Sequence, residues 1–120
     1  MVELRLANIG DIVELLGYRP AISMRAIVGI VDGKPLGVVG MYYKGDKLIV
    51  FSKIQPELRA YPFLIYKAAK MVMKIIDEAG VVAMAQADVS IPHSDKLLEY
   101  LGFTPMYDHV EGKIYTYGTL

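Results

Sequence analysis

Cysteine and tryptophan are absent from this chain of 120 residues, and histidine occurs only at His93 and His109. Without cysteine there are no disulfides, no thiolate nucleophile, and no Cys-ligated zinc or iron–sulfur centre. The two histidines are far apart and lack ligand spacing, so they read as surface or turn residues rather than a metal pair. An excess of charge of one sign is missing as well. Lys and Arg total 13 and Asp and Glu total 13, so the chain has no net pull toward nucleic acid or an acidic membrane. Long apolar runs are missing too, because Arg25, Asp32 and Lys44 interrupt the apolar stretches, and a spanning helix needs roughly 18 apolar residues in a row. The opening Met-Val-Glu-Leu-Arg-Leu alternates and carries charge, unlike a targeting segment. The expectation is a soluble, cytoplasmic protein with no membrane or nucleic-acid partner.

What is present is a core. Hydrophobic residues make up 54% and charged residues 22%, with a mean hydropathy of +0.36, which excludes disorder. This length suits one domain, residues 1–120. Val2, Leu4 and Leu6 alternate with Glu3 and Arg5, the pattern of a half-buried strand. Asn8 is placed to cap a helix that carries Ile9, Ile12, Val13, Leu15 and Leu16 and closes at Gly17. Three β-rich runs follow, Met24 to Val31, Leu36 to Tyr43 and Leu48 to Ile54. Tight turns at Asp32-Gly33-Lys34-Pro35 and Lys44-Gly45-Asp46-Lys47 join them into an antiparallel meander. Gln55 to Tyr61 reads as a loop.

Pro62 suits a first helical position, and the longest helix runs from there to Gly80. Leu64, Ala68, Met71, Val72, Ile75 and Ile76 lie near one face of it, with Lys67, Lys70, Lys74 and Asp77 away from that face. Val81 to Val89 reads as a central strand, and Asp95 to Leu101 as a short helix that Ser94 can cap. Thr104 to Val110 and Lys113 to Tyr117 form a closing hairpin. A strand, a long helix and a further strand imply one parallel crossover inside a mostly antiparallel sheet. Ligands favour places where parallel strands of such sheets part.

The order of elements, the opening Arg-Leu-Ala-Asn-Ile-Gly-Asp-Ile-Val-Glu-Leu-Leu, the Asp-Gly-Lys-Pro-Leu-Gly-Val-Val-Gly hairpin and the closing Leu-Leu-Glu-Tyr-Leu-Gly-Phe-Thr-Pro together resemble the GCN5-related N-acetyltransferase (GNAT) family. The resemblance covers nearly the whole chain, and the small size is similar to short phage-encoded members. It implies an α+β, acyl-CoA N-acyltransferase-like fold, a mixed, mostly antiparallel sheet flanked by helices. It also implies acetyl-CoA as co-substrate and transfer of acetyl to a primary amine, on a small molecule or a peptide, by direct attack.

By the same resemblance, the pyrophosphate would rest between the fourth strand and the long helix on a stretch that here reads Arg59-Ala60-Tyr61-Pro62-Phe63-Leu64. Arg59 matches the family's motif. Pro62 and Leu64 replace its small residues, so one N–H donor is lost and bulk is added. The backbone of Phe51, Ser52, Lys53 and Ile54 is the candidate donor to the thioester carbonyl. The family's general-acid tyrosine would fall on Leu98, which leaves Tyr100, Tyr61 and Tyr107 as options. Asp88 or Glu57 could serve as base, and the reaction can proceed without one if the amine arrives neutral.

Each candidate has a plainer reading. Arg59 could be a solvated loop cation, Asp88 a turn residue, Gln86 a partner for nearby backbone, and Lys67, Lys70 and Lys74 a solvated face rather than a contact for the adenosine phosphate. Ser90 and Ser94 lack a nucleophile elbow. Met71, Met73 and Met84 read as core filling. Tyr42, Tyr43, Tyr115 and Tyr117 fall on strands, where aromatic residues pack and where a homodimer surface could form. The departures at Pro62, Leu64 and Leu98 keep a second function open, a catalytically inactive GNAT-fold binding or structural protein.

Overall fold

The structure is a computed structural model that describes residues 1–20, 23–87, 94–108 and 112–118. Its elements follow the expected order. They are β1 (Val2–Leu6), α1 (Ile9–Leu16), β2 (Arg25–Val31), β3 (Lys34–Lys44), β4 (Lys47–Ile54), a 3-10 turn (Pro56–Ala60), α2 (Pro62–Ala79), β5 (Ala83–Gln86), α3 (Ser94–Tyr100), β6 (Thr104–Tyr107) and β7 (Ile114–Tyr117). The segment read as a loop before α2 is thus mostly one tight helical turn. The Val81–Val89 strand is realised as Ala83–Gln86, with Asp88 and Val89 outside the described residues. His93, His109 and Ser90 also lie outside them.

One sheet holds all seven strands in the order β1-β2-β3-β4-β5-β7-β6. Every neighbouring pair is antiparallel except β4 with β5. The meander turns are as tight as the sequence suggests. Val31 pairs with Lys34 across Asp32 and Gly33, both at positive φ (51° and 81°), a turn whose twist matches that of its strands. Where β2 and β3 slip register beyond Gly29↔Gly37, Leu36 becomes the extra residue of a bulge and joins the core with Leu58 and Leu64.

The helices cover opposite faces. α1 closes over Ala26, Val28, Ile30 and Val38 with Ile12 and Leu15. α2 closes the other face with Val72 and Ile76 over Ile27, Met41, Leu48, Ala83 and Ala85. Met71 departs from expectation and points outward, while Met73 packs against the core. The inward face of α2 is therefore rotated slightly toward Ile65, Ala69 and Met73. Among the described residues, no helix is long and apolar enough to cross a membrane.

The N-cap is stronger than the sequence reading anticipated. The Asn8 side chain accepts the Asp11 N–H, and Asp11 Oδ2 accepts the Asn8 N–H, each at 2.9 Å. Asp11 is 8% exposed and the only buried charged residue among those described. Arg5 of β1 meets it with two bonds, at 2.6 and 3.1 Å. The hydrogen bond from Arg5 is the main reason the Asp11 carboxyl is held below its ordinary value. Partial desolvation opposes this, and the Asn8 N–H and the charge of Arg5 add to it.

A carboxyl with a lowered folded-state pKa stabilises the fold fully above its unfolded value of 3.8, and this contribution is lost as pH falls through the folded value. Asp11→Asn is expected to destabilise the protein at neutral pH by about 1–3 kcal/mol. It is also expected to flatten the acid limb of stability against pH below the unfolded value, as read by urea unfolding from pH 7 to acid.

Candidate functional site

β4 and β5 run parallel for only three paired positions, Leu48↔Ala83, Ile49↔Met84 and Val50↔Ala85. β4 continues to Ile54, still paired with β3 along its whole length. Beyond Val50 the two parallel strands part. The geometry identifies which backbone groups line the gap. The Leu48 N–H bonds to the Val82 carbonyl on the β5 side, and the Gln55 N–H bonds to the Leu36 carbonyl on the β3 side. Backbone groups alternate direction along a strand, so the Ser52 and Ile54 N–H groups face the gap, where the β5 ladder no longer reaches them. Of the stretch Phe51, Ser52, Lys53 and Ile54, Ser52 and Ile54 present their amides to the gap. Phe51 and Lys53 direct theirs to β3.

Both walls of the gap are held by their outer neighbours. On one side, Gly29 and Gly37 are paired across β2 and β3 and let the chain after β4 settle directly on the sheet. A Cβ on Gly37 would stand 2.5 Å from Leu58 Cδ2, and one on Gly29 would stand 3.4 Å from Leu64 Cδ2. On the other side, β5 is drawn to β7. The Ala87 N–H bonds to the Lys113 carbonyl, and the Gln86 side chain donates to the Gly112 carbonyl at 3.2 Å. Gly112, at φ 140°, lies so close that a Cβ would be 2.0 Å from the Ala87 oxygen. Gln86 thus serves neighbouring backbone and also borders the gap.

The gap opens into a cavity of about 140 Å³ between the sheet and α2, closed at one end by Leu97, Leu98, Leu101 and Phe103. Its lining is almost wholly hydrocarbon; the polar side chains on it are Ser52, Gln86 and Ser94. No titratable side chain of the described residues lines it.

The sequence-derived candidates distribute unevenly around this cavity. Arg59 and Ala60 are exposed on the 3-10 turn, and Tyr61, half-buried, is the N-cap of α2. Phe63 is 57% exposed at the start of α2. Leu64 faces inward, so its bulk is absorbed by the core with Val31, Leu36 and Leu58. The Tyr61 carbonyl accepts the Leu64 N–H, no side chain caps this helix start, and no acidic residue occupies its first turn.

Leu98 lines the cavity at the place where the resemblance would put a tyrosine. Tyr100 does not line it. This residue is 64% exposed at the end of α3, and its hydroxyl shares a hydrogen bond with that of Tyr66, the main cause of its raised pKa. Lys70 sits 5.1 Å above the Tyr66 ring, a cation–π contact on the outer surface of α2. Tyr107 is exposed on the edge strand β6, and Glu57 is exposed on the 3-10 turn. Asp88 lies outside the described residues. Tyr115, one of the strand tyrosines, takes the packing role and not a surface one: it is 2% exposed in the core. Burial raises its pKa, and the charges of Glu99 and Asp95 raise it further. Among the described residues no cluster of His, Asp or Glu could hold a metal ion.

Solved structures share this architecture, among them three acetyltransferases. The ribosomal-protein-S18-alanine N-acetyltransferase of Escherichia coli superposes with a TM-score of 0.72 at 11% identity, covering 100% of this chain and 96% of the other. The fold is that of the GNAT acetyltransferases. PaiA N-acetyltransferase from Thermoplasma acidophilum, solved in complex with coenzyme A, gives 0.72 at 10% identity over 99% of both chains. YncA from Salmonella typhimurium, solved with its cofactor acetyl-CoA, gives 0.74 at 14% identity, covering 98% of this chain and 93% of that one. No protein-family model matches the chain, and no curated protein matches it in sequence. The likeness to the GNAT structures is therefore one of shape.

The two glycine contacts make different demands. A methyl group at Gly37 meets the free end of a leucine, which can rotate away, so Gly37→Ala is expected to stay within about 1 kcal/mol of the parent. A methyl group at Gly112 meets a carbonyl oxygen in a backbone conformation that L-residues avoid. Gly112→Ala is expected to cost about 2–4 kcal/mol. Chemical denaturation of the two variants side by side checks this ordering.

Proposed function

We propose that the protein is an acetyl-CoA-dependent N-acetyltransferase acting by direct attack of a primary amine of a small molecule or peptide. The observation that carries this reading is the parting of β4 and β5 beside the start of α2, with the Ser52 and Ile54 amides turned toward the gap. Coenzyme A fits the chemistry of this place. The pantetheine arm is extended and carries amides, and an open strand edge offers amide partners in register. The pyrophosphate is anionic and suits the uncapped start of α2, where the helix dipole and the N–H of Phe63 remain once Pro62 has removed one donor. Arg59, in the turn just before, supplies a cation within the same stretch.

In the reaction the amine nitrogen attacks the thioester carbonyl, and a strand amide stabilises the developing oxyanion. The protein's contribution is orientation and a preorganised donor in a site that excludes water. An amine that arrives neutral needs no dedicated base, which agrees with a cavity that no titratable group of the described residues lines. Asp88 and Tyr100 remain the proposed base and acid, with Glu57, Tyr61 and Tyr107 as their alternates. The proposed setting is the cytoplasm.

The same bare lining favours a second reading, a GNAT-fold protein that binds coenzyme A without turning it over. Coenzyme A release across a panel of amines separates the two; turnover on any amine excludes the inactive reading.

Isothermal titration with acetyl-CoA is expected to show saturable binding, and no heat at millimolar ligand contradicts the site. Arg59→Ala is expected to weaken binding about tenfold, in a manner that fades with salt. Unchanged affinity removes Arg59 from the site.

A further inference from the structure

We propose that this site also takes acyl donors whose apolar chain is longer than acetyl, of medium length, held under α2; this rests on the coenzyme A reading above. The cavity does not end where an acetyl methyl would. Its lining runs from Val50 and Ser52 of β4 past Val39 of β3 to Ile27 of β2, with Leu4 of β1 beyond, while Leu58 and Leu64 cover Gly37 and Gly29 at its side. Strand spacing makes the distance from β4 to β2 about 10 Å, the length of roughly six to eight extended carbons. Its volume of about 140 Å³ is room for on the order of ten water-sized groups, whereas a methyl needs about one.

The chemistry of the walls decides what enters. Under α2 the roof is Ile65, Ala68, Ala69, Val72 and Met73, with no polar side chain. The amides of pantetheine would find no side-chain partners there and belong at the β4 edge, beside Ser52 and Gln86. Only hydrocarbon suits the space beyond. The small side chains of Ala68 and Ala69 leave this space open under the roof. An apolar void of this size otherwise forfeits packing contacts on every wall.

The transfer step balances without any further reagent. The amine nitrogen bonds to the acyl carbon and the carbon–sulfur bond breaks with its electron pair on sulfur. The proton from nitrogen reaches that thiolate, giving an amide and coenzyme A.

Titration of the full chain with coenzyme A and with its acetyl, butanoyl and octanoyl thioesters tests this. Each methylene buried strengthens binding by about fourfold, so octanoyl is expected to bind at least about 100-fold tighter than acetyl. Equal affinity for the acetyl and octanoyl thioesters, with coenzyme A itself bound, overturns the inference and leaves the coenzyme A site standing. Absence of binding by all four overturns both.

In Ala68→Phe the advantage of octanoyl over acetyl is expected to fall below about tenfold as the ring fills the space under α2. Ala68→Leu gives the same readout should the larger ring prevent folding. An advantage that persists in the folded variant overturns the placement of the chain under α2.

Discussion

Everything specific about this protein depends on two parallel strands being held apart by their antiparallel neighbours. β4 stays with β3 through Ile54, and β5 stays with β7 through Ala87. Antiparallel pairing is slightly the stronger per residue. The sheet therefore yields along its one parallel seam. Glycine placement reinforces this on both sides. Leu58 sits on Gly37 and ties the chain after β4 down over β3, while Gly112 lets the backbone of the closing strand press against Ala87. The gap lies between two antiparallel pairs, β3 with β4 and β5 with β7, and needs no strained residue of its own.

That seam also explains the chemistry the site can support. An open β4 edge presents amides without side chains, so the reacting group can be positioned and polarised by backbone alone. The hydrocarbon walls beneath α2 exclude water, which strengthens such a donor. The titratable groups that stand out lie elsewhere. The half-buried ion pair of Arg5 and Asp11 anchors α1 to β1, and the Tyr66–Tyr100 and Tyr117–Asp77 contacts join α2 to the C-terminal elements on the outer surface. They hold the frame around the gap.

Much of this frame was legible in the sequence because the signals were local. The Asp32-Gly33 turn, the Asn8 cap and Pro62 at a helix start each act within a few residues, and each fell where expected; the alternation of β1 holds at Val2 and Leu4 but fails at its end, where Leu6 is 64% exposed. The parting of β4 and β5 followed from the order of elements alone. The features that escaped depend on contacts distant in sequence. The Gly112–Ala87 contact, the pairing of Gly29 with Gly37 beneath α2 and the bidentate grip of Arg5 on Asp11 have no periodic signature. Met71 was placed on the inner face because helical spacing tolerates an error of one residue in the angle of a stripe, and packing settled on Met73 instead. Helical geometry turns Tyr100, two residues after Leu98, to a different side of α3, and the structure has Leu98 at the cavity and Tyr100 at Tyr66.

The central claim is that the β4 edge beyond Val50 is open and receives a coenzyme A thioester. Amide hydrogen exchange at Ser52 and Ile54, read residue by residue with and without acetyl-CoA, tests it most directly. The account predicts fast exchange at both amides in the free protein, slow exchange at Val50, and clear protection of Ser52 or Ile54 once the ligand is added. Amides already protected in the free protein, or unaltered at saturating ligand, would contradict it.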